Sequence, residues 1–443
     1  MYMAQNMFIE GIFNPRKIFK AVLQCIIGDN MKAVILAGGF GTRLRPLSST
    51  RPKPMIPVLG RPNLQYILEN LEKISEIDEV ILSVHYMRGE IREFIEDKMS
   101  DYPKDIRFIN DPMPLETGGA LKNVEEVVSD EFLVIYGDVF TNFNFEELIK
   151  AHKANNALIT VALTKVYDPE KYGVVVTDEE GKIVDFEEKP LRPKSNLIDA
   201  GIYMVNKEIL NEIPKGKEIY FEREVLPKFV AQGLAHGYMM PRNNYWVDLG
   251  TPEDFFYAHQ LILDEIAKNN GYYTVKEDAE VPEDVEIQGP VYIDSGVKIG
   301  HGVKIKAYTY IGPNTIVEDK VYLKRSILLG HDIIKERSEL KDSILGEGVV
   351  VGRNVILKEN AVIGDYAKIY DNLVIYGAKV LPWKKVEEYE AYLRIKLDPT
   401  KVRPELTPER CPLGLPECIY TKFKAIAAEK PPCDECIENQ WLF

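Results

Sequence analysis

The stretch Met31-Lys32-Ala33-Val34-Ile35-Leu36-Ala37-Gly38-Gly39-Phe40-Gly41-Thr42-Arg43-Leu44-Arg45-Pro46 decides how the chain folds. Residues 31–37 are apolar apart from Lys32, the pattern of a strand buried on both faces of a sheet. Three glycines in four positions follow, and they let backbone N–H groups approach a triphosphate closely. Arg43, Arg45 and, in Arg51-Pro52-Lys53-Pro54-Met55, Lys53 bring positive charge to the same loop. The pattern reads as a phosphate cradle; the alternative is a tight turn with solvated charges. No third glycine stands three places after Gly41 and no Gly-Lys-Ser/Thr follows, so neither the dinucleotide fingerprint nor a P-loop is present.

Working outward, Phe132-Leu133-Val134-Ile135-Tyr136 is a second apolar run, ending in Gly137-Asp138. It predicts a central strand with an acid at its carboxyl end, where open α/β sheets bind ligands. Asp138 suits Mg²⁺, which takes one or two carboxylates plus phosphate oxygens. A second acid, Asp248, stands in Trp246-Val247-Asp248-Leu249-Gly250-Thr251-Pro252. Thr251 ahead of Pro252-Glu253 reads as a helix N-cap in its own right, leaving Asp248 for metal. Between the two acids, Ile183-Val184-Asp185-Phe186-Glu187-Glu188-Lys189-Pro190 alternates as a strand. Simple alternation puts Glu188 and Lys189 on opposite faces unless a twist or bulge, such as Pro190 imposes, intervenes. Taken alone the tripeptide is a charged hairpin edge.

Composition bounds the function classes. The chain has 443 residues, 45% hydrophobic and 28% charged, which predicts a folded protein of two to four domains. Lys plus Arg total 55 against 69 Asp plus Glu, a net charge of −14, so nucleic-acid binding has no general electrostatic support. No run of eighteen apolar residues predicts a membrane span. Five Cys fit a reducing compartment, and the expected location is cytoplasmic.

The segment Gly38 to Leu47, continuing to Pro52-Lys53-Pro54, resembles the nucleotide-sugar pyrophosphorylases, whose motif reads Gly-Gly-x-Gly-Thr-Arg-Leu-x-Pro-Leu-Thr and runs on to Pro-Lys-Pro; Ser48 replaces the final Thr. The resemblance implies an α/β, Rossmann-like mixed open sheet of the nucleotide-diphospho-sugar transferase type. It implies nucleotide binding by Leu36, Ala37, Gly38, Gly39, Gly41, Thr42, Thr117 and Gly118, and catalysis by Arg43, Lys53 and Lys189. Arg43 would contact the pyrophosphate leaving group, Lys53 the phosphate near the attacked phosphorus and Lys189 the sugar 1-phosphate. Asp138 and Asp248 would share the cation. Glu188, Gly173 of Tyr172-Gly173-Val174, and Asp199 of Asp199-Ala200-Gly201-Ile202-Tyr203 would meet the sugar. Asp199 stands where Asn is usual, and its carboxylate would accept from two sugar hydroxyls. Leu115-Glu116-Thr117-Gly118-Gly119-Ala120-Leu121 would read the base, its glycines allowing approach of a flat edge and Glu116 taking a position held by glycine in relatives.

The reaction so implied joins an NTP to a hexose 1-phosphate with Mg²⁺, giving an NDP-sugar, foremost GDP-mannose, and pyrophosphate. UDP- or dTDP-glucose synthesis is the alternative within the class, and a catalytically silent regulatory or scaffold homologue the alternative outside it. His85 and His152 read as structural.

From residue 281 apolar side chains recur every six positions: Val281, Ile287, Ile293, Ile299, Ile305, Ile311, Val317, Leu323 and Leu329. The beat breaks at Lys335 and resumes at Leu345, Val351, Leu357, Ile363, Ile369 and Ile375, so a loop or phase slip is expected around Asp332 to Lys341. A hexapeptide period marks a parallel β-helix, and this one resembles the left-handed β-helix family. Packing and homo-oligomer formation are its expected uses; acetyl transfer with His301 or His331 as base is the alternative. Residues 383–443 form a tail with a helical pattern from Val386 to Leu397, and Cys411, Cys418, Cys433 and Cys436 suit a structural Zn²⁺, two disulfides or free thiols. The expected division is therefore an extension of unassigned role over 1–30, a nucleotidyltransferase domain over 31–266, a β-helix over 274–382 and the tail.

Overall fold

The structure, a computed structural model, describes residues 31–387. The extension over 1–30, the four tail cysteines and all but the start of the expected tail helix lie outside the described residues. Contacts group the chain into two units, 31–39 with 63–246 and 40–62 with 247–387. The loop 40–62, expected within a 31–266 domain, thus groups with the C-terminal residues.

The first unit is a nine-stranded mixed sheet. Its main path runs Ile183–Glu188, Gly173–Thr177, Leu197–Asn206, Glu131–Tyr136, Met31–Leu36, Ile77–Val84, Asp105–Asn110. Met31–Leu36 has parallel neighbours on both sides, Ile77–Val84 and Glu131–Tyr136. Ala33, Val34 and Ile35 are accordingly fully buried, as a continuous apolar run requires. Leu197–Asn206 joins antiparallel to Glu131–Tyr136 and makes the sheet mixed. The helix Asn63–Glu72 buries Leu64, Ile67, Leu68 and Leu71, a single stripe at helical spacing. Each such side chain contributes roughly 1.5–3 kcal/mol by leaving water.

The second unit holds the loop 40–62, the helix Pro252–Asn270 and the coil that follows. Thr251 caps that helix in a reciprocal capping box with Asp254, as expected from Thr251-Pro252. Beyond it short strands stack in parallel, rung on rung. Ile293 pairs with Ile311, eighteen residues on, and Ile311 with Leu328, seventeen on. The inward series is Ile293, Ile299, Ile305, Ile311, Val317, Leu323, Leu328, Ile334, Leu340, Leu345, Val351, Leu357, Ile363 and Ile369.

Of the expected loop or phase slip the structure has the slip, and it corrects the place. The coil passes without interruption through Ile334 and Leu340, and the slip is made by corners one residue shorter, between Leu323 and Leu328 and again between Leu340 and Leu345. Arg325 and Asp342 turn those corners with φ of 48°, in the left-handed region. The inward residue is therefore Leu328, not Leu329. The last rung, Lys385–Val386 on Lys368–Ile369, carries the coil past Pro382, so Val386 is a buried strand residue and not the start of a helix. Among the described residues no helix is long and apolar enough to cross a membrane.

Candidate active site

In the first unit, the strand Met31–Leu36 delivers Leu36, Ala37, Gly38 and Gly39 to the carboxyl edge of its parallel neighbours. A side chain on Gly39 would meet nothing within 4 Å, so this backbone faces open space. A Cβ on Gly38 would lie 3.5 Å from His85 Cβ and 3.6 Å from Asp111 Oδ2. His85 and Asp111, neither singled out as a ligand from sequence, therefore flank the loop. Asp111 is buried, takes hydrogen bonds from Ser83 Oγ (3.0 Å) and Asn123 Nδ2 (2.8 Å), and burial raises its pKa.

Asp138 follows the central strand Glu131–Tyr136. Gly137 N donates to Leu36 O at 2.9 Å, tying the acid's turn to the glycine strand. The side chain of Asn63, fully buried, donates to the carbonyls on both sides of Asp138, Gly137 O at 2.9 Å and Val139 O at 3.1 Å. Such a two-carbonyl grip fixes the backbone from which the carboxylate projects. Nothing in the sequence around Arg61-Pro62-Asn63 signals it, because the partners lie 74 and 76 residues away.

The strand Ile183–Glu188 ends at Glu188, and Lys189 takes φ of 50°. That left-handed residue breaks the alternation, so the two side chains point together and Lys189 Nζ lies 3.0 Å from Glu188 Oε1. The twist expected from Pro190 is thus made one residue earlier. A Cβ on Gly173 would come within 2.7 Å of Phe186 Cζ and 3.1 Å of Glu188 Oε2, so only glycine leaves Glu188 its place.

Asp199 differs from expectation. Its Oδ1 accepts from Gly201 N at 2.8 Å and its Oδ2 from Tyr203 Oη at 2.6 Å, where the strand pairing shifts register. Both oxygens thus serve the chain's own backbone and a tyrosine. Burial pushes the carboxyl pKa up to about 8. Next to it, Tyr136 donates to Glu222, and Glu222 Oε2 accepts from Thr117 Oγ1 at 2.8 Å. Glu222 is also raised by burial. This acid–tyrosine chain links Thr117, one of the expected nucleotide-binding residues, to Glu222 in a segment without any motif.

The helix Glu116–Asn123 begins with Glu116 at φ of 56°, the conformation glycine adopts most easily. Gly118 N and Gly119 N both donate to Ile219 O, at 2.7 and 3.2 Å, and a Cβ on Gly119 would stand 2.3 Å from Lys217 O. The close approach these glycines permit is made by residues 217–219 of the chain itself.

In the second unit, Gly41 takes φ of 61° and Ser48 Oγ donates back to Gly41 O at 2.6 Å, closing the turn that carries Thr42 and Arg43. Lys53 is 9% exposed, and its Nζ lies 3.1 Å from Asp248 Oδ1. Arg43, 64% exposed, reaches within 3.7 Å of Asp248 Oδ2. A Cβ on Gly250 would crowd both Asp248 Oδ2 (3.1 Å) and Arg43 (3.2 Å). Two cations and an acid expected to act together from positions 43, 53 and 248 do meet.

The other histidines weighed from the sequence are placed plainly. His152 is buried between Thr160 Oγ1 (2.7 Å) and Asn206 Oδ1 (2.8 Å), and burial lowers its pKa. His301 Nδ1 lies 3.1 Å from Asp284 on an exposed corner, and His331 lies 3.9 Å from Glu347.

A family model described as nucleotidyl transferase matches residues 32–265. The chain belongs to this family. A second model, described as GMPPB C-terminal domain, matches residues 287–395. Among curated relatives, mannose-1-phosphate guanylyltransferase of Mycobacterium tuberculosis is 38% identical over 224 residues, covering 50% of this chain and 62% of that protein. Bifunctional protein GlmU of Methanocaldococcus jannaschii is 40% identical over 240 residues, covering 53% and 55%. Mannose-1-phosphate guanylyltransferase 1 of Arabidopsis thaliana is 35% identical over 246 residues, covering 54% and 67%. The chain thus spans between 55% and 67% of the length of these relatives. A solved structure, HddC from Yersinia pseudotuberculosis complexed with GMP-PN, is 31% identical and covers 52% of this chain and 99% of that one, with a TM-score of 0.45.

Proposed function

We propose that the protein transfers a guanylyl group from GTP to mannose 1-phosphate, giving GDP-mannose and pyrophosphate. Family membership supports the reaction class, and the relatives that are mannose-1-phosphate guanylyltransferases support the base and sugar. The observation that carries the chemistry is the meeting of Lys53 and Arg43 on Asp248 at the end of a glycine loop.

A sugar 1-phosphate has a second pKa of ~6, so near neutral pH its oxygen is already an unprotonated nucleophile and no general base is required. That oxygen attacks the α-phosphorus, the bond from phosphorus to the bridging oxygen breaks, and pyrophosphate leaves. Charge repulsion and misorientation make up most of the barrier, and both are reduced by fixed cations and in-line positioning. Lys53 steadies the phosphate under attack, Arg43 the departing pyrophosphate, and Lys189 the sugar phosphate, while Glu188 takes sugar hydroxyls. Leu36, Ala37, Gly38, Gly39, Gly41 and Thr42, with Thr117 and Gly118, accommodate the nucleotide.

The donor chemistry fits Mg²⁺. Among the described residues no group of three His, Cys, Asp or Glu forms a cage, and a cation that prefers to keep water and phosphate ligands needs only one or two carboxylates. Asp138 and Asp248 would hold it, and it would supply charge neutralisation on the triphosphate. The coil serves association into a homo-oligomer, and the reaction belongs to the cytoplasm.

A panel of NTPs crossed with hexose 1-phosphates, read by pyrophosphate release in Mg²⁺, tests this. GTP with mannose 1-phosphate is expected to be fastest. Highest turnover with glucose 1-phosphate and UTP or dTTP would move the substrate assignment, and a blank panel would favour a silent scaffold.

A further inference from the structure

The loop 40–62 carries Arg43 and Lys53 but little regular structure of its own: three single turns, Thr42–Leu44, Leu47–Ser49 and Lys53–Met55, and the two-residue strands Pro57–Val58 and Arg61–Pro62. Turns this short do not hold two phosphate-binding cations in place unaided. Leu44, Leu47, Ile56 and Val58 are buried, and Leu59 N donates to His259 Nε2 at 3.2 Å, which fixes the loop's far end.

The near end is fixed by the coil. Arg51, two residues before Lys53, and Thr50 both donate to Asp365 Oδ2, and Arg51 also lies 3.5 Å from Glu347. Asp365 is 1% exposed. Its Oδ1 accepts from Glu347 N at 2.9 Å, and a Cβ on Gly346 would stand 2.2 Å from that oxygen. At equivalent coil corners Asp319 and Asp371 also accept one backbone N–H, from His301 and Arg353 at 2.8 Å each, yet both are exposed. Asp365 alone of these three turns its other oxygen to the loop.

We infer that Asp365 is a positioning residue for nucleotidyl transfer: through Arg51 and Thr50 the coil fixes the loop that presents Lys53. The inference rests on the proposed roles of Lys53 and Arg43. A coil used only for subunit association would need no such anchor.

Asp365→Asn keeps an oxygen for Glu347 N but presents an amide to Arg51, and Arg51→Gln removes the partner from the loop side. Hydrogen exchange of the Met55 and Ile56 amides, which donate to Pro52 O and Lys53 O at 2.8 and 3.1 Å, reads the anchor without reference to activity. Both variants are expected to exchange these amides faster, and Asp342→Asn, which breaks the Arg325 pair elsewhere on the coil, is not. Turnover should fall by about tenfold or more in each single variant, since small misplacements are costly. The double variant should be no slower than the worse single one, and KM for the sugar 1-phosphate should stay within about twofold, because Lys189 and Glu188 are untouched. Wild-type exchange together with wild-type kcat in Asp365→Asn overturns the inference. Faster exchange with unchanged kcat also overturns it, leaving a structural contact only. Absence of turnover in the wild-type protein would sink the proposed reaction instead, and the exchange result would still decide whether the anchor exists.

Discussion

Replacing Asp199 by Asn removes a carboxyl that the fold holds in its protonated form. With a free carboxyl pKa of ~3.9 and a folded value of about 8, the native chain binds a proton that the unfolded chain releases throughout that window. Stability from this site is therefore fully present below about pH 4 and is lost as pH rises toward 8. The slope is about 1.4 kcal/mol per pH unit, so on the order of 3 kcal/mol separates pH 5.5 from pH 7.5. Asn carries no such proton. Its Oδ1 still accepts from Gly201 N, and its amide donates to Tyr203 Oη in place of accepting from it. Urea unfolding of wild type and Asp199→Asn at pH 5.5, 6.5 and 7.5 reads the difference directly. The variant should gain on the wild type steadily with rising pH. Parallel stability curves would refute the reasoning and return Asp199 to the ionised state expected of a carboxylate free to meet sugar hydroxyls.

His259 acts at the acid end. It is fully buried with its pKa pushed down to about 4 by burial, so it must stay neutral for Nε2 to accept from Leu59 N. Stability from it is present above ~6.5 and lost as pH falls toward 4, by about 1.4 kcal/mol per unit; His259→Gln should flatten that limb in the same unfolding assay, and an unchanged limb would count against it. Gly173→Ala forces a methyl against Phe186 and Glu188, an overpacking cost of roughly 1–3 kcal/mol, and should raise KM for the sugar 1-phosphate about tenfold while leaving KM for the NTP near its starting value. Equal effects on both KM values would remove Glu188 from the sugar site.

What the sequence showed and what it hid divide along the range of the interaction. Met31–Leu36 and the glycine loop were legible because a buried strand and a tight turn impose their residue types locally. The coil was legible because each rung repeats the same inward position, yet its slip was misplaced, since a five-residue corner and a six-residue corner leave similar apolar spacing and Leu329 stands beside the true inward Leu328. The pairing of Glu188 with Lys189 required a left-handed lysine that alternation does not announce. Asn63, Glu222 and the Arg51–Asp365 anchor were invisible for another reason. Their partners lie 74 or more residues away, at most 314, and no local pattern encodes such a distance. Asp199 was legible as a departure from the family's Asn, but its burial against Tyr203 was not.

Pyrophosphate release from GTP and mannose 1-phosphate in Mg²⁺, measured side by side for the wild-type protein, Asp138→Asn and Asp248→Asn, tests the central claim most directly. The account predicts turnover in the wild type and at least a ~100-fold loss in each variant, the scale on which fixed charge stabilises a transition state. Turnover within a few fold of wild type in either variant would contradict it.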